Sequence, residues 1–521
     1  MPTVSPFERL RNMLVFRNRI YLHRTTCAAT AQSILSAIPP QAGHTIYDAE
    51  YWDSDRWDGL EYGRDYDFSR TFFSQFADLF RVVPLPNLAV IRSTMENSDY
   101  CNGITGAKNS YLLFTSHSSQ DCMHSMAVNH SRDIFDCIDV KRSELCYGCE
   151  HIVNCYQLFF ASNCENCSDS SFLVGCSSCR NCFGCVNLVN KEYVFFNEQL
   201  TKADFEARIS AFDLGSASKL GAMERQFRDY AAQFPKKFCW GKLSESSSGN
   251  YINESKRCSN CYYVTGAEDL EHSFWITRGK SSFFHCSFGM GSELIYNSVT
   301  CGDGAYNLKF CVDCWPNTRD LEYCIYTGRG AESCFACVGL RRRKHCILNK
   351  QYSQSEYEHL VRRIKEHMRS TGEYGRFFPP QLSPFAYNRS EARYYLPSHE
   401  TYVTGLGYRW ETEPLSELTL GTAPPDQIRD VTDDVLEQTF QCERSGRSYK
   451  IQKKELHFHR TFHLPLPRCA PLNRIETRAE CLRFAPLEHR ICARCSTNVL
   501  TMFGDHPAGI LCENCFQEEA Q

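Results

Sequence analysis

Residues 146–190 read CYGCEHIVNCYQLFFASNCENCSDSSFLVGCSSCRNCFGCVNLVN, and this stretch carries the pattern that decides the fold. Written in rows of nine residues, it has cysteine or leucine in the first and fourth columns of every row. Asparagine, which tolerates turn conformations, ends most of these rows. The same rows extend back to Cys101. A fixed short period predicts a β-solenoid, in which each row would form half of an eighteen-residue coil.

The two cysteine columns lie three residues apart, whereas the side chains of a plain strand alternate every two. We therefore expect each side of a coil to be very short, with frequent corners. Because Val128, Leu158 and Leu173 replace cysteine in these columns, the cysteines are predicted to be buried small hydrophobic residues. Two alternatives stay open: an array of separate zinc knuckles built from the CxxC pairs, and a metal cluster bound inside the ladder.

The repetitive region is duplicated. NCFGCVNLVNKEYVFFNEQ begins at residue 181, and SCFACVGLRRRKHCILNKQ begins at residue 333, a constant offset of 152. Each copy runs into a predicted helix, and the second helix has a capping box at Ser353 and Glu356. The duplication predicts two Cys-laddered solenoid blocks, residues 96–200 (the first block) and 251–352 (the second block), with helical caps.

The remaining segments complete a mainly β chain. We expect an N-terminal aromatic and charged cap that resembles a degenerate zinc ribbon (1–95), a helical cap and linker (201–250), a helix with an irregular linker (353–430), a degenerate Cys/His module (431–485) and a zinc ribbon (486–521). The cap contains the carboxylates Asp53, Asp55, Asp58, Glu61, Asp65 and Asp67. A catalytic acid–base pair among them is one interpretation. Neutralisation by Arg56, Arg64 and Arg70 is the favoured one.

The C-terminus has the spacing of a zinc ribbon. Cys492-x2-Cys495 is followed by Cys512-x2-Cys515, and the spacer between the pairs falls in the range of roughly 15–20 residues that is typical of such sites. Four thiolates are soft ligands that favour zinc over calcium or magnesium. With all four positions filled by protein, no coordination site remains for water, so the predicted Zn²⁺ is structural. A redox CxxC is the alternative.

A weaker metal motif lies upstream. Cys442 and Cys469 stand singly, with His457, His459 and His463 between them. A mixed Cys/His zinc site is one interpretation of this spacing. A metal-free module that has kept its shape is the favoured one.

Composition excludes several classes of protein. The net charge is −4, so no global field attracts nucleic acid or a membrane surface. No stretch approaches the roughly 18 apolar residues of a membrane-spanning helix, and no secretory signal is recognisable. We therefore expect a cytoplasmic protein, in which 31 cysteines are metal ligands or core residues rather than disulfides.

Several stretches resemble an uncharacterised family of Cys-rich, zinc-ribbon-tailed repeat proteins common in small-genome candidate-phylum bacteria. The matching pieces are SDRWDGLEYGRDYDFSRTFF, ENSDYCN, SELCYGC, NCFGCVNLVNKEY and LNKQYSQSEYEHLV. The resemblance implies the domain order and bound zinc, and it transfers no established activity. It also implies that Cys27 remains from a lost N-terminal zinc site, and that Ser445 and Leu472 replace metal ligands in the tail module.

These observations predict a non-enzymatic zinc-binding scaffold with a protein partner. No P-loop, GxGxxG after a strand, HExxH or GxSxG motif is present in the sequence. A nucleic-acid-binding zinc-ribbon protein and a thiol- or metal-handling protein are the alternatives. We expect the partner surface on the second block, where a basic run begins at Arg341 and aromatic residues are frequent: Tyr262, Tyr263, Phe274, Trp275, Phe283, Phe284 and Trp315.

Overall fold

The computed structural model describes residues 4–412 and 422–519. It is mainly β, with a β-solenoid of about 20 turns, and 25% of the chain is helical. The described helices are α1 (Pro6–Leu14), α2 (Ala49–Asp53), α3 (Phe72–Val82), α4 (Lys202–Ser210), α5 (Ala217–Ala231), α6 (Gln354–Ser370), α7 (Ala392–Tyr395), α8 (Glu400–Gly405), α9 (Lys453–Thr461), α10 (Pro471–Arg478) and α11 (Glu513–Glu519).

The strands form two long sheets and several short pairs. The first block contains Thr105–Lys108, Tyr111–Phe114, His117–Gln120, Met123–Asn129, Arg132–Phe135, Ile138–Lys141, Glu144–Tyr147, Glu150–Val153, Tyr156–Phe159, Ser162–Glu165, Ser168–Val174, Arg180–Val186, Glu192–Phe195 and Glu198–Gln199. The second sheet contains Gly241–Lys242, Gly249–Asn253, Lys256–Ser259, Cys261–Thr265, Glu268–Glu271, Phe274–Thr277, Lys280–Gly289, Glu293–Gly302, Tyr306–Lys309, Arg319–Glu322, Glu332–Phe335, Lys344–Ile347 and Lys350–Gln351. The short strands are His23–Thr26, Ser33–Ser36, Ile46–Tyr47, Leu85–Pro86, Lys236–Lys237, Phe440–Gln441, Ser448–Tyr449, Glu488–Ile491, Asn498–Thr501 and Ile510–Leu511.

The coil of the first block is shorter than predicted. Ile138 pairs in parallel with Met126 on one side and with Glu150 on the other, a step of 12 in each direction. The expected short sides and frequent corners are confirmed, because every third residue has a positive φ. Asp133, Asp136 and Asp139 have φ values of 52°. Four sides of three residues therefore close one turn, and the prediction of an eighteen-residue coil is wrong.

Corner chemistry explains the asparagines that end the rows. Left-handed backbone costs most residues roughly 1 kcal/mol, and asparagine tolerates it better than most. Asn109, Asn154, Asn163, Asn181 and Asn190 all adopt a positive φ at corners of the first block. The turn conformation predicted for these positions is confirmed.

The residue after each corner points inward and fills a narrow interior. Cys137, Cys146 and Cys149 are fully buried there, beside Val140 and Ile152. The thiol of Cys137 donates to the carbonyl of Cys146, nine residues ahead, at 3.6 Å. The same nine-residue step recurs at Cys149, whose thiol donates to the Leu158 carbonyl at 3.2 Å.

The second block repeats this construction with coils of both 12 and 13 residues, and Gly249 pairs with Cys261 at a step of 12. Lys280 pairs with Glu293, and Glu293 pairs with Tyr306, a step of 13 in each case. The extra residue in each of these coils explains why the rows of the second block are less regular in sequence. Its sheet begins at Gly241, inside the segment predicted to be linker (201–250).

Each block ends in an antiparallel hairpin at the predicted offset of 152. Val194 pairs with Gln199 in the first block, and Cys346 pairs with Gln351 in the second. Helices α4 and α6 follow these hairpins, and α6 has the predicted capping box. The duplication seen in the sequence is therefore a duplication of structure.

The two blocks and the tail module pack side by side. His151 of the first block stacks on Tyr251 of the second, with ring centroids 4.3 Å apart. Tyr251, Tyr263 and Trp275 continue this stack with centroids 4.8 and 4.5 Å apart, because residues one coil apart lie above each other. Phe458 of α9 stacks on the first block through an aromatic contact of 4.2 Å between ring centroids.

The carboxylates of the N-terminal cap are neutralised by the second block. Asp53 pairs with Arg329, Asp58 with Arg343, and Asp65 with Lys350. The expected neutralisation by Arg56, Arg64 and Arg70 is therefore wrong for these three carboxylates. The prediction paired each carboxylate with arginines nearby in sequence, whereas the cap packs against residues far along the chain.

Candidate metal centre

The four predicted cysteines at the C-terminus converge. The ligand atoms of Cys492, Cys495, Cys512 and Cys515 all lie within 4.8 Å of one another, and the Sγ atoms of Cys495 and Cys512 are 3.6 Å apart. Across residues 4–412 and 422–519, this is the one group of three or more potential ligands that is suited to hold a metal ion. Such a set is typical of a structural four-thiolate site.

Local backbone geometry positions the first pair. The antiparallel hairpin of Glu488–Ile491 with Asn498–Thr501 leads into a turn in which Cys492 N–H donates to the Thr497 carbonyl at 2.8 Å. Ser496 N–H donates back to the Cys492 carbonyl, with Ser496 in left-handed backbone at φ 62°. We call this turn the knuckle. The second pair follows the strand Ile510–Leu511 and enters α11.

The electrostatics of the four thiols call for a cation. Burial raises the pKa of Cys492, but backbone N–H groups of Cys495, Cys512 and Arg494 outweigh it and lower that pKa to about 6. The pKa of Cys515 is raised to about 12 by burial and by the thiols of Cys495 and Cys512. Four thiolates at this separation repel one another, so full ionisation requires a bound positive ion. The donor set fits a soft cation such as zinc.

The ribbon sits at the start of the second block. Lys236–Lys237 adds a parallel strand to Ile510–Leu511, and Thr501 Oγ1 donates to the Phe238 carbonyl at 2.6 Å. The rings of Trp240 and Phe516 lie 5.9 Å apart, edge to face. Disruption of the four-cysteine group would therefore disturb the chain where it enters the second block.

The knuckle occurs twice more among the residues that the structure describes. Cys27 N–H donates to the Gln32 carbonyl, and Ala31, at φ 57°, donates back to the Cys27 carbonyl. Cys442 N–H donates to the Arg447 carbonyl, and Gly446, at φ 67°, donates back to Cys442. The N-terminal cap and the tail module thus share this knuckle geometry with the four-cysteine group.

One further hydrogen bond aligns the remaining ligand positions. In each knuckle, the backbone N–H of the residue after the first cysteine donates to a backbone carbonyl. The acceptor is the carbonyl of Ile510 beside the four-cysteine group, of Arg468 in the tail module and of Ile46 in the N-terminal cap. In the four-cysteine group, Cys512 lies two residues after Ile510, and Cys515 lies three residues after Cys512. The tail module therefore has Ala470 and Asn473 in place of the second cysteine pair.

The tail module replaces the metal with hydrogen bonds. Asn473 Oδ1 accepts from the Cys442 thiol at 3.4 Å and from Ser445 Oγ at 2.7 Å. The fourth ligand position is therefore Asn473, and the resemblance-based placement at Leu472 is wrong by one residue. A single asparagine connects the chain elements that a metal ion would have joined.

The histidines of the tail module serve other contacts. His459 is fully buried with its ring 5.1 Å from that of Tyr147 in the first block. His457, His463, Cys442 and Cys469 do not join it in a ligand group within the part of the chain that the structure describes. These side chains therefore do not converge as a mixed Cys/His ligand set.

The cysteines of the blocks lie on coil sides instead of in knuckles. All 31 thiols of the chain are free, and those of the blocks are buried. Burial raises the pKa of Cys101 and Cys122 to about 12 and that of Cys155 to about 11. These three thiols remain protonated at neutral pH and are poor nucleophiles. At Cys311, by contrast, burial raises the pKa, but hydrogen bonds with the thiols of Cys314 and Cys324 outweigh it and lower the pKa to about 6.

The residues expected to form the partner surface are largely engaged within the chain. Tyr262 stacks on Phe484 with centroids 4.9 Å apart, and Phe274 is fully buried. Arg341 donates to the carbonyls of Trp52 and Ser54. Of the named aromatic residues, Phe283 is the large exposed one, at 46%.

Comparison with known proteins adds no identification. No protein-family model matches the chain, and no curated protein has significant similarity to its sequence. The family resemblance therefore stays a prediction. Within the described ranges, no helix combines the length and the apolar character needed to cross a membrane.

Proposed function

We propose that this protein is a non-enzymatic scaffold that binds one structural zinc ion and presents its solenoid blocks to a protein partner in the cytoplasm. The observation that carries the proposal is the closed four-thiolate group at Cys492, Cys495, Cys512 and Cys515, attached to a long, regular surface. A site with four protein ligands leaves no position for substrate or water. Solenoids commonly act as extended binding surfaces.

The buried thiols support a scaffold over a thiol- or metal-handling protein. Redox or metal exchange needs exposed, ionised cysteines. The chain instead buries the thiols of both blocks. The net charge of −4 likewise favours a protein partner over nucleic acid.

Metal analysis of the purified full chain tests the zinc assignment. We expect one zinc ion per chain, and Cys512→Ser should remove about one equivalent because a three-ligand site binds zinc far more weakly. The same variant should make the last thirty or so residues sensitive to protease. Cys469→Ser, a partly buried thiol outside the group, is the matched control and should keep the metal. Unchanged zinc in Cys512→Ser would contradict the assignment.

Crosslinking mass spectrometry in native lysate tests the scaffold role. We expect reproducible crosslinks from one surface of the blocks to a small set of proteins. Native thiol titration should find few reactive cysteines beside those of the ribbon. Titration of most block thiols without unfolding, or a gel shift with RNA or DNA at physiological salt, would contradict the proposal.

A further inference from the structure

The last coil of the second block is covered by residues 58–63 of the N-terminal cap, which we call the covering segment. Asn349 Nδ2 donates to the Gly59 carbonyl at 2.9 Å, and Arg343 pairs with Asp58. Leu60 packs on the cysteine interior of the second block. The segment therefore closes the end of the solenoid with one hydrogen bond, one ion pair and one apolar contact.

Position 59 of the covering segment lies close to the end of the second block. A Cβ added to Gly59 would lie 2.8 Å from Leu340 Cδ2 and 3.2 Å from the Gly339 carbonyl oxygen. A larger residue at this position would require the Leu340 side chain to shift. The end of the second block thus recognises the sequence Asp-Gly-Leu through both charge and shape.

The duplication places the same groups at the end of the first block. At an offset of 152, Leu340, Arg343 and Asn349 correspond to Leu188, Lys191 and Asn197. Asn197 and Asn349 make the same internal bonds. Asn197 Oδ1 accepts from Val186 N–H at 2.9 Å and its Nδ2 donates to the Val186 carbonyl at 3.0 Å, as Asn349 does with Val338.

The equivalent of the covering segment is missing from the first block among the residues the structure describes. Asn349 and Leu340 are fully buried, whereas Asn197 and Leu188 are only partly buried. Lys191 has no carboxylate partner in the described chain, whereas its counterpart Arg343 pairs with Asp58. The second N–H of the Asn197 amide also lacks the acceptor that Gly59 provides to Asn349.

The contact made by Arg64, directly after the covering segment, is already replaced in the first block. Arg64 N–H donates to the Leu348 carbonyl, but the equivalent Phe196 carbonyl accepts from the Tyr230 hydroxyl of α5 at 2.7 Å. The open positions therefore match only the Asp-Gly-Leu part of the segment. At this site Lys191 can pair with a carboxylate, and the Asn197 amide can donate to a carbonyl. Leu188 can pack against a residue that has no Cβ.

We propose that the end of the first block binds an exposed Asp-Gly-Leu segment of a partner protein, in the manner in which the second block holds Asp58, Gly59 and Leu60. The inference rests on the proposed scaffold function and assigns that scaffold a binding site. The positive charge of Lys191 and the segment held at the equivalent end of the second block determine the chemistry of the occupant. The solenoid end, instead of the aromatic residues of the second block, is then the contact point.

A peptide titration tests this site. The probe is fluorescein-labelled SDRWDGLEYG, residues 54–63 of this chain, titrated with the zinc-loaded full-length protein and followed by fluorescence anisotropy. We expect saturable binding that Lys191→Glu and Leu188→Glu each weaken at least tenfold. Lys202→Glu, on the exposed start of α4, is the matched control and should bind as the parent does. A peptide with valine at the glycine position should not bind.

A charge exchange separates recognition from misfolding. A peptide with lysine in place of the second aspartate should bind Lys191→Glu better than it binds the parent protein. Absence of saturable binding, equal binding by Lys191→Glu and Lys202→Glu, or no rescue by the exchanged pair would overturn the inference. Self-association of the chain that Lys191→Glu abolishes would also overturn it, because the occupant would then be a second copy. Zinc content and lysate crosslinks test the scaffold proposal, and peptide binding tests this site. A failure of one proposal can therefore be distinguished from a failure of the other.

Discussion

Asn349→Ala should open the end of the second block, and Asn197→Ala should have a much smaller effect on the first. The Asn349 amide makes three hydrogen bonds to backbone: it accepts from Val338 N–H at 2.8 Å, donates to the Val338 carbonyl at 2.8 Å and donates to the Gly59 carbonyl at 2.9 Å. It is fully buried, so water does not reach these groups in its place. Asn197 makes only two such bonds at a partly exposed site.

The magnitudes follow from these contacts. Three buried backbone groups without partners cost roughly 3–5 kcal/mol in total, at about 1–3 kcal/mol for each unsatisfied group and with partial relaxation. Alanine in left-handed backbone adds about 1 kcal/mol in both variants, because Asn349 and Asn197 have φ values of 63° and 59°. At Asn197, water replaces the two lost partners in part, so the loss of hydrogen bonds costs about 1–2 kcal/mol there. The cost of alanine in left-handed backbone is the same in both variants and cancels from their difference. The two variants should therefore differ by roughly 2–3 kcal/mol.

Native-state hydrogen exchange measures this difference locally, which suits a chain too large for a single two-state transition. Exchange at the Val338 and Arg64 amides should accelerate in Asn349→Ala by roughly 50-fold more than exchange at the Val186 amide in Asn197→Ala, since about 1.4 kcal/mol corresponds to tenfold. Equal acceleration in the two variants, or none at Arg64 in Asn349→Ala, would refute the reasoning that the covering segment depends on this amide.

Three further predictions concern the interior and the degenerate knuckles. Cys155→Val should be tolerated within about 1 kcal/mol, because the side-chain volume is nearly conserved. Cys155→Asp should unfold the first block, because it buries an unpaired charge. Thermal unfolding followed by circular dichroism compares the two variants, and an equal loss of stability in both would contradict the packing role of Cys155. The triple change Ser445→Cys, Ala470→Cys and Asn473→Cys should create a second zinc site beside Cys442, read as one additional equivalent of zinc, and unchanged metal content would disprove the alignment of the knuckles. Burial lowers the pKa of His285 to about 4, below the roughly 6.5 of an unfolded histidine, so the contribution of this group to stability should be complete above about pH 6.5 and fall as the pH drops toward 4. His285→Leu should flatten part of that acid dependence in urea titrations, and an unchanged pH profile would exclude this histidine as a source.

The sequence alone determined the four cysteines of the candidate metal site and the class of fold. Ligand identity follows from local spacing, because each CxxC pair occupies one turn and its chemistry needs no distant residue. The inward columns were also local information, since small apolar residues at every third position require a corner at every third position. The end asparagines were visible through the duplication, although their hydrogen bonds were not.

The tertiary structure decided the length of the coil and the partners of the charges. Columns three residues apart are compatible with coils of three, four or six sides, and only pairing between successive turns selects four, as in Ile138 with Glu150. Likewise, Asp58 lies beside several arginines in sequence but pairs with Arg343, because the cap folds over the end of the second block. Contacts between segments almost three hundred residues apart depend on how whole modules pack, and a local pattern of side chains contains no record of that packing.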